Sequence, residues 1–242
     1  MRNELKLITL ALLASVLTLY SCQKEDQKEE PIINVTGDPD PDIPDIITVN
    51  GHDAVNLGLS VRWATCNVDA SEPEQFGGYY SWGETETKTE YNWDNYKYCG
   101  ANYYTYTKYC TQPSYGNVDY KTELDPEDDV AHVKWGEGWR MPTCEEVIEL
   151  LNNCTIKWTT RNGVKGYLFQ GKNGNTIFMP AAGYQSSNGP KSVGIAGFYF
   201  TNSILIQHPY KAYFMYFPSS YYSTDDEGYR FNGLTIRPVI AQ

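Results

Sequence analysis

Gly136-Glu137-Gly138-Trp139-Arg140-Met141-Pro142-Thr143-Cys144-Glu145-Glu146-Val147-Ile148-Glu149-Leu150-Leu151 contains the sharpest local signal in the chain. Thr143 suits a helix N-cap, and Glu146 three residues later completes a Thr-x-x-Glu capping box. Pro142 stands just before the cap, where the chain is still extended. Val147, Ile148, Leu150 and Leu151 form the apolar stripe of a core-facing helix. Cys144, Glu145, Glu146 and Glu149 fall off that stripe, and the acids of the first turn suit the helix dipole. The spacing predicts a capped helix from Cys144 to about Asn153, preceded by the large ring of Trp139 and the fork donor Arg140.

Working outward, strands are expected on both sides of this helix. Residues 54–59 and 61–66 read as paired strand segments around Gly58. Residues 156–160, 166–170 and 176–179 read as strands, with a turn at Asn162-Gly163 and a hairpin through Gly171-Lys172-Asn173-Gly174-Asn175. Residues 197–203, 211–217 and 234–239 are the last expected strands. Asp125 to His132 reads as a short helix with Pro126 in its first turn. Residues 91–120 are rich in Tyr, Asn, Thr and Lys and lack clean periodicity. They read as an elaborated loop held down by its rings, a kind of loop that often carries function.

The N-terminal part is not core. Arg2 and Lys6 precede a short apolar run that ends in Leu19-Tyr20-Ser21-Cys22. The run is too short and too polar to read as a spanning helix. Its end resembles the lipobox of bacterial lipoproteins, which implies that residues 1–22 are a signal peptide and that Cys22 becomes an acylated N-terminus anchored in outer-membrane lipid. Lys24-Glu25-Asp26 resembles the short Lys-acid-acid tag that sends lipoproteins of the Bacteroidota to the cell exterior. Residues 23–47, with the run Asp38-Pro39-Asp40-Pro41-Asp42-Ile43-Pro44-Asp45, read as an extended, self-repelling tether. The folded domain is then expected from about residue 46 or 48 to 242.

Composition narrows the partners. The 242 residues carry 30 acidic and 19 basic side chains, a formal net charge of -11, which argues against nucleic acid because phosphate binding needs Lys and Arg clusters. Tyrosines number 21 against 8 phenylalanines, which is out of the ordinary.

Several blocks together resemble the bacterial family named for the major paralogous domain of Fibrobacter succinogenes, a distant relative of the formylglycine-generating sulfatase-modifying fold. They are residues 55–68, 76–84, 135–143, 153–155, 174–183 and 232–239, which span most of the chain from 50 to 240 in order. The resemblance implies an α+β, C-type-lectin-like domain in which a few short helices pack on twisted, mostly antiparallel strands and the chain ends lie near each other. It also implies a binding role. Trp139, Arg140, Pro142, Thr143, Glu146 and Arg237 are its fold signature, with Arg140 and Arg237 expected as buried, hydrogen-bonded forks.

Chemistry is harder to find. The copper-binding Cys pair used by the formylglycine-generating enzymes lies late in their domain, whereas no cysteine follows Cys154 here. His52, His132 and His208 lack ligand spacing. Ser60, Ser81 and Ser192 sit in no Gly-x-Ser-x-Gly elbow. Glu84, Glu86 and Glu90 give no sign of the paired carboxyls a glycosidase needs. Asn92-Trp93-Asp94-Asn95 resembles one calcium-binding strand of true C-type lectins but comes too early, and its partner loop is absent. The acids at Asp125 to Asp129 and Asp225 to Glu227 are open to weak calcium binding, although a solvated helix start and turn explain them more simply. No catalytic residue, metal or cofactor is assigned.

Two readings concern the remaining residues. Cys99 and Cys110 bracket the Tyr-rich loop and are the candidate disulfide. Cys144 and Cys154, near opposite ends of one helix, stand roughly 15 Å apart at about 1.5 Å per residue and should not pair. Tyr210, Ser219, Ser220, Tyr221, Tyr222 and Tyr229 are the candidate contacts for a ligand, since Tyr gives rigid area at low entropic cost and Ser adapts its hydrogen bonds. Strand tyrosines such as Tyr213 and Tyr216 are equally readable as core. The expected function is binding of a glycan or protein ligand, with a structural envelope component or an enzyme of unassigned chemistry as alternatives.

Overall fold

The computed structural model describes residues 45–242 apart from 101, 103 and 220–226. The signal peptide, Cys22, Lys24, Glu25, Asp26 and the tether as far as residue 44 lie outside the described residues, as do Ser220, Tyr221 and Tyr222. Among the described residues no helix is long and apolar enough to cross a membrane.

The chain forms mostly antiparallel sheets with two α-helices, an α+β arrangement. Strands β1 (Ile46–Val49), β2 (His52–Val55) and β3 (Val61–Ala64) open the domain. Ile46 and Ile47, assigned to the tether, therefore belong to the fold. The expected strand over 54–59 stops at Val55, because Gly58 turns the chain at φ 74°. After the long loop come α1 (Val130–Trp135) and α2 (Cys144–Asn153). β4 (Thr155–Arg161), β5 (Val164–Gln170) and β6 (Thr176–Pro180) form one antiparallel sheet. β7 (Tyr184–Ser186) and β8 (Gly189–Lys191) make a small hairpin. β9 (Ala196–Ile204), β10 (Lys211–Pro218) and β11 (Glu227–Tyr229) form a third sheet. β12 (Val239–Ala241) pairs with β3, so the first sheet runs β1-β2-β3-β12 and joins both ends of the described chain. The strand expected over 234–239 is replaced by single bridges at Leu234 and Thr235, then Pro238, which has no N–H to give a ladder.

Helix α2 starts as its sequence predicts. Thr143 accepts the Glu146 N–H at 3.1 Å, and the Glu146 carboxylate accepts the Thr143 N–H at 2.8 Å. The same carboxylate takes the Arg140 guanidinium end-on, with Nη1 at 2.7 Å from Oε2 and Nη2 on Oε1. Arg140 is thus a half-exposed ion pair rather than a buried fork. Cys144 corrects a second expectation: it is buried with Val147, Leu150 and Leu151, because positions i, i+3 and i+7 share a face, and Ile148 is the less buried one. That face packs with Trp63, Met215 and Phe217 of β3 and β10.

The predicted helix at Asp125 to His132 divides in two. Pro126–Asp128 is a 3-10 turn, and Asp129 then caps α1 by accepting the Ala131 and His132 N–H groups. Its other oxygen accepts the Met141 N–H at 2.8 Å, which fastens α1 to the start of α2. Burial pushes the Asp129 carboxyl above its ordinary value, against those three N–H groups. Arg237 meets its expectation. It is buried and donates to Asn67 Oδ1 and to the carbonyls of Ala64, Thr65 and Phe178, at 2.8 to 3.0 Å.

Removing the cap tests this anchor. Thr143→Ala should cost about 1 kcal/mol in urea unfolding. Glu146→Ala should cost more, because it also releases Arg140; equal losses would show that the ion pair contributes nothing.

Candidate functional site

The Tyr-rich loop has almost no aliphatic side chains, so its rings do the packing. Tyr91, Tyr96, Tyr98, Tyr106 and Tyr109 are buried. A buried phenol needs a partner. Tyr96 and Tyr98 donate to the carbonyls of Trp82 and Gly83 at 2.8 and 2.9 Å, Tyr91 to that of Tyr79 at 2.6 Å, and Tyr109 to Asp128 Oδ2 at 2.7 Å. Burial pushes the phenols of Tyr96, Tyr98 and Tyr106 well up, so they stay neutral; Tyr106 is the exception among these rings, its buried hydroxyl having no hydrogen-bond partner among the described residues.

At the centre of these rings stands Arg230, fully buried. Its guanidinium carbon lies 4.6 Å from the Tyr106 ring centre, 4.8 Å from that of Trp82 and 5.3 Å from that of Tyr96. Such stacking is worth up to about 2 kcal/mol or more per desolvated contact. Its N–H groups reach Tyr96 Oη at 2.8 Å and the carbonyls of Tyr109, Pro209 and Lys108 at 3.0, 2.8 and 3.3 Å. One side chain therefore ties residues 96–109 to residues 209–230. Sequence reading missed it, since a lone Arg between Tyr229 and Phe231 looks like any surface Arg. The only hint was the surplus of tyrosines with no aliphatic core to join.

The tie brings together the two Tyr-rich segments. Tyr104 stacks on Tyr115 with ring centres 5.9 Å apart, Tyr115 meets Tyr210 at 5.1 Å, and Tyr210 meets Tyr229 at 6.2 Å. Tyr229 then contacts Trp93 at 5.5 Å and stacks on Phe231 at 5.3 Å. Tyr104 and Tyr229 are 53% and 45% exposed, while Tyr115, Tyr210 and Trp93 are half-buried, so the strip opens to solvent along its length. Gly116 permits the approach of Tyr115: at φ 143°, a Cβ there would lie 2.3 Å from the Tyr106 carbonyl oxygen. The β10–β11 register sets Lys211 opposite Tyr229, which places Tyr210 beside it.

Of the predicted contacts, Tyr210 and Tyr229 join the strip, and Ser219 is exposed beyond the end of β10. Tyr213 and Tyr216 are half-buried on β10, where a bulge between Ala212 and Phe214 breaks simple alternation. Trp93, Tyr104 and Tyr115 are contributions that the sequence marked only as part of a region.

The disulfide expectation is corrected. Cys99 and Cys110 are both free, as are Cys66 and Cys154. The two thiols turn to different carbonyls: Cys99 donates to Asn102 at 2.6 Å and the buried Cys110 to Gln112 at 3.3 Å. The loop is held by Arg230 instead.

The acid cluster at Asp125, Glu127 and Asp128 brings its carboxylates close enough for a metal ion, but a lysine fills the place. Lys108 Nζ lies 2.6, 3.5 and 2.5 Å from the three carboxylates, Lys97 also pairs with Asp128 at 2.9 Å, and Lys121 with Asp125 at 2.5 Å. The cluster is thus a lysine clamp under the loop, not the solvated helix start expected. Burial alone would raise the Asp128 carboxyl; bonds from Lys108, Tyr98 and Lys97 outweigh it and hold it well below the usual carboxylate range. Glu84 is likewise structural, buried and bound to Lys88 and the Lys97 N–H. The three histidines are apart: His52 stacks on Trp135 at 3.8 Å, His208 lies beside Tyr210, and His132 faces a cleft near α2.

Comparison with known protein families, curated proteins and solved structures finds no match to this chain.

Two measurements probe the site's support. Arg230→Met leaves three carbonyls and a phenol without their donor, at about 1 kcal/mol or more each, so unfolding free energy should drop by about 3 kcal/mol or more; a drop under 1 kcal/mol would show that the loop is held elsewhere. Because the folded Asp128 carboxyl lies below its unfolded value of about 3.9, its contribution is present above that pH and lost as pH falls through the folded value. Stability measured from pH 6 down to pH 2 should therefore fall less steeply in Asp128→Asn than in the wild type.

Proposed function

We propose that this chain is a non-catalytic, surface-displayed lipoprotein whose C-type-lectin-like domain binds a glycan or protein ligand on the aromatic strip. The observation that carries the reading is the continuity of that strip. Trp93, Tyr104, Tyr115, Tyr210 and Tyr229, from segments about a hundred residues apart, meet in unbroken ring contact, with Tyr104 and Tyr229 exposed and the others partly buried against the core. A core would bury such rings, whereas binding surfaces use Tyr and Trp for rigid, amphipathic contact. Rings also suit the apolar faces of sugars. In this reading the family resemblance gives the fold, Cys22 the acyl anchor in outer-membrane lipid, and Lys24-Glu25-Asp26 the export to the cell exterior. The acidic tether then holds the domain off the membrane.

A glycan and protein array probed with the full-length chain in detergent tests it. Binding to at least one class is expected, weakened at least tenfold by Tyr229→Ala and by Tyr210→Ala. Tyr120→Ala, which removes a tyrosine 75% exposed and outside the strip, should leave it unchanged. No binding on either array, or equal loss in all three variants, would refute the strip. Protease shaving of intact cells checks the location: protection of the domain would place it on the inner side.

A further inference from the structure

A second concavity lies at the start of α2, sharing no lining residue with the strip. It is a cleft of about 470 Å³ between the Asp129–His132 end of α1, the segment Gly138 to Thr143, and Asn202 of β9. That volume is in the range of small-molecule sites.

Its polar groups are unevenly used. Arg140 spends the end of its fork on Glu146 and one further Nη1–H on the Met141 carbonyl at 3.1 Å. This leaves Nε–H and one Nη2–H, the side-on pair of the guanidinium, without a partner among the described residues. Asn202 is only 8% exposed. Its Oδ1 accepts the Ser203 hydroxyl at 2.7 Å, its N–H donates to the Pro142 carbonyl, and its carbonyl accepts the Leu124 N–H. Its Nδ2 has no bond among the described residues. This N–H is not among the fully buried polar atoms, so it stands open at the cleft wall and is free to donate to a group placed there. The His132 ring also makes no hydrogen bond among the described residues. Asp129, by contrast, is saturated by three backbone N–H groups and offers little to a ligand.

The open groups are thus a side-on guanidinium fork and an amide N–H at the cleft wall, both donors, with the exposed Glu123 carboxylate as acceptor. The side-on fork matches the two oxygens of a carboxylate. Leu124 and Trp139 add apolar lining. A bare anion would leave that lining and Glu123 unused, and a neutral sugar would leave the fork unmatched. We propose that this cleft binds a carboxylate-bearing sugar, a uronic acid, with its carboxylate on the Arg140 fork and Asn202 Nδ2 and its hydroxyls turned to Glu123 and His132. The inference does not rest on the aromatic strip.

Titration calorimetry of the full-length chain in detergent, with glucuronate, glucose and acetate at equal ionic strength, tests it. Glucuronate should bind at least tenfold more tightly than either of the others. Asn202→Asp, which removes the amide donor and sets a like charge against the ligand, should weaken glucuronate binding at least tenfold at an unchanged melting temperature. Should that variant not fold, Arg140→Lys decides: it keeps the charge beside Glu146 but loses the side-on fork, and the same tenfold loss is expected. Glucose equal to glucuronate, acetate equal to glucuronate, or wild-type affinity in the folded variant would each overturn the assignment.

Discussion

A guanidinium buried among aromatic rings governs this structure. Among the described residues, Arg230 is enclosed by rings, the Tyr96 phenol oxygen and carbonyl oxygens. Moving a charge from water into the interior costs several kcal/mol, so its position is set by how well those groups replace hydration. Tyr and Trp faces are suited to it, because they offer negative quadrupoles and still exclude water. The loop over residues 91–120 can be long, polar and nearly free of aliphatic residues because its rings enclose a cation on one side and join the core with Val130, Phe200 and Ile204 on the other. The strip from Tyr104 to Tyr229 inherits its geometry from this arrangement, since the cage ties the two segments that carry it.

The same logic recurs twice. Arg237 is buried with carbonyls of β3, its following turn and β6 around it, and Asn67 accepts from its Nε. Lys108 fills a triangle of carboxylates under the loop. Each cation joins segments distant in sequence and fixes them more specifically than apolar contact would, since donors must meet acceptors at set distances and directions. The second core, where α2 lies with Trp63, Met215 and Phe217, is conventional by comparison.

How much could be read beforehand follows from the range of each interaction. The α2 start was legible because Thr143, Glu146 and the apolar stripe lie within a few residues of one another. The β4–β5–β6 meander was legible through its turns at Asn162-Gly163 and Gly171 to Asn175. The role of Arg230 was not, because its partners lie as many as 134 residues away and are mostly carbonyls, which carry no sequence signature. The β1–β2 hairpin at Asn50-Gly51 carried a turn signal, but its strand of Ile46-Ile47-Thr48-Val49 was obscured by the acidic, proline-rich sequence before it. The Cys99–Cys110 pairing failed for a related reason. Two cysteines flanking a loop suggest a staple only when nothing else is seen to hold it.

The bonds that Asp45 makes have a mechanical consequence. Asp45 accepts the Asn56 N–H at 2.7 Å through its carbonyl and the Asn175 side-chain amide at 2.7 Å through its carboxylate. Tension applied at Asp45 loads these two bonds and then the four-residue strand β1, which among the described residues is paired on one side, with β2. That strand contributes only partly buried side chains to the core around Trp82 and Trp139. Peeling it would lengthen the chain by a few residues while the Arg230 cage stays closed. Strand β1 thus acts as a short mechanical fuse, which yields under a pull at Asp45 before the ring-lined face is disturbed.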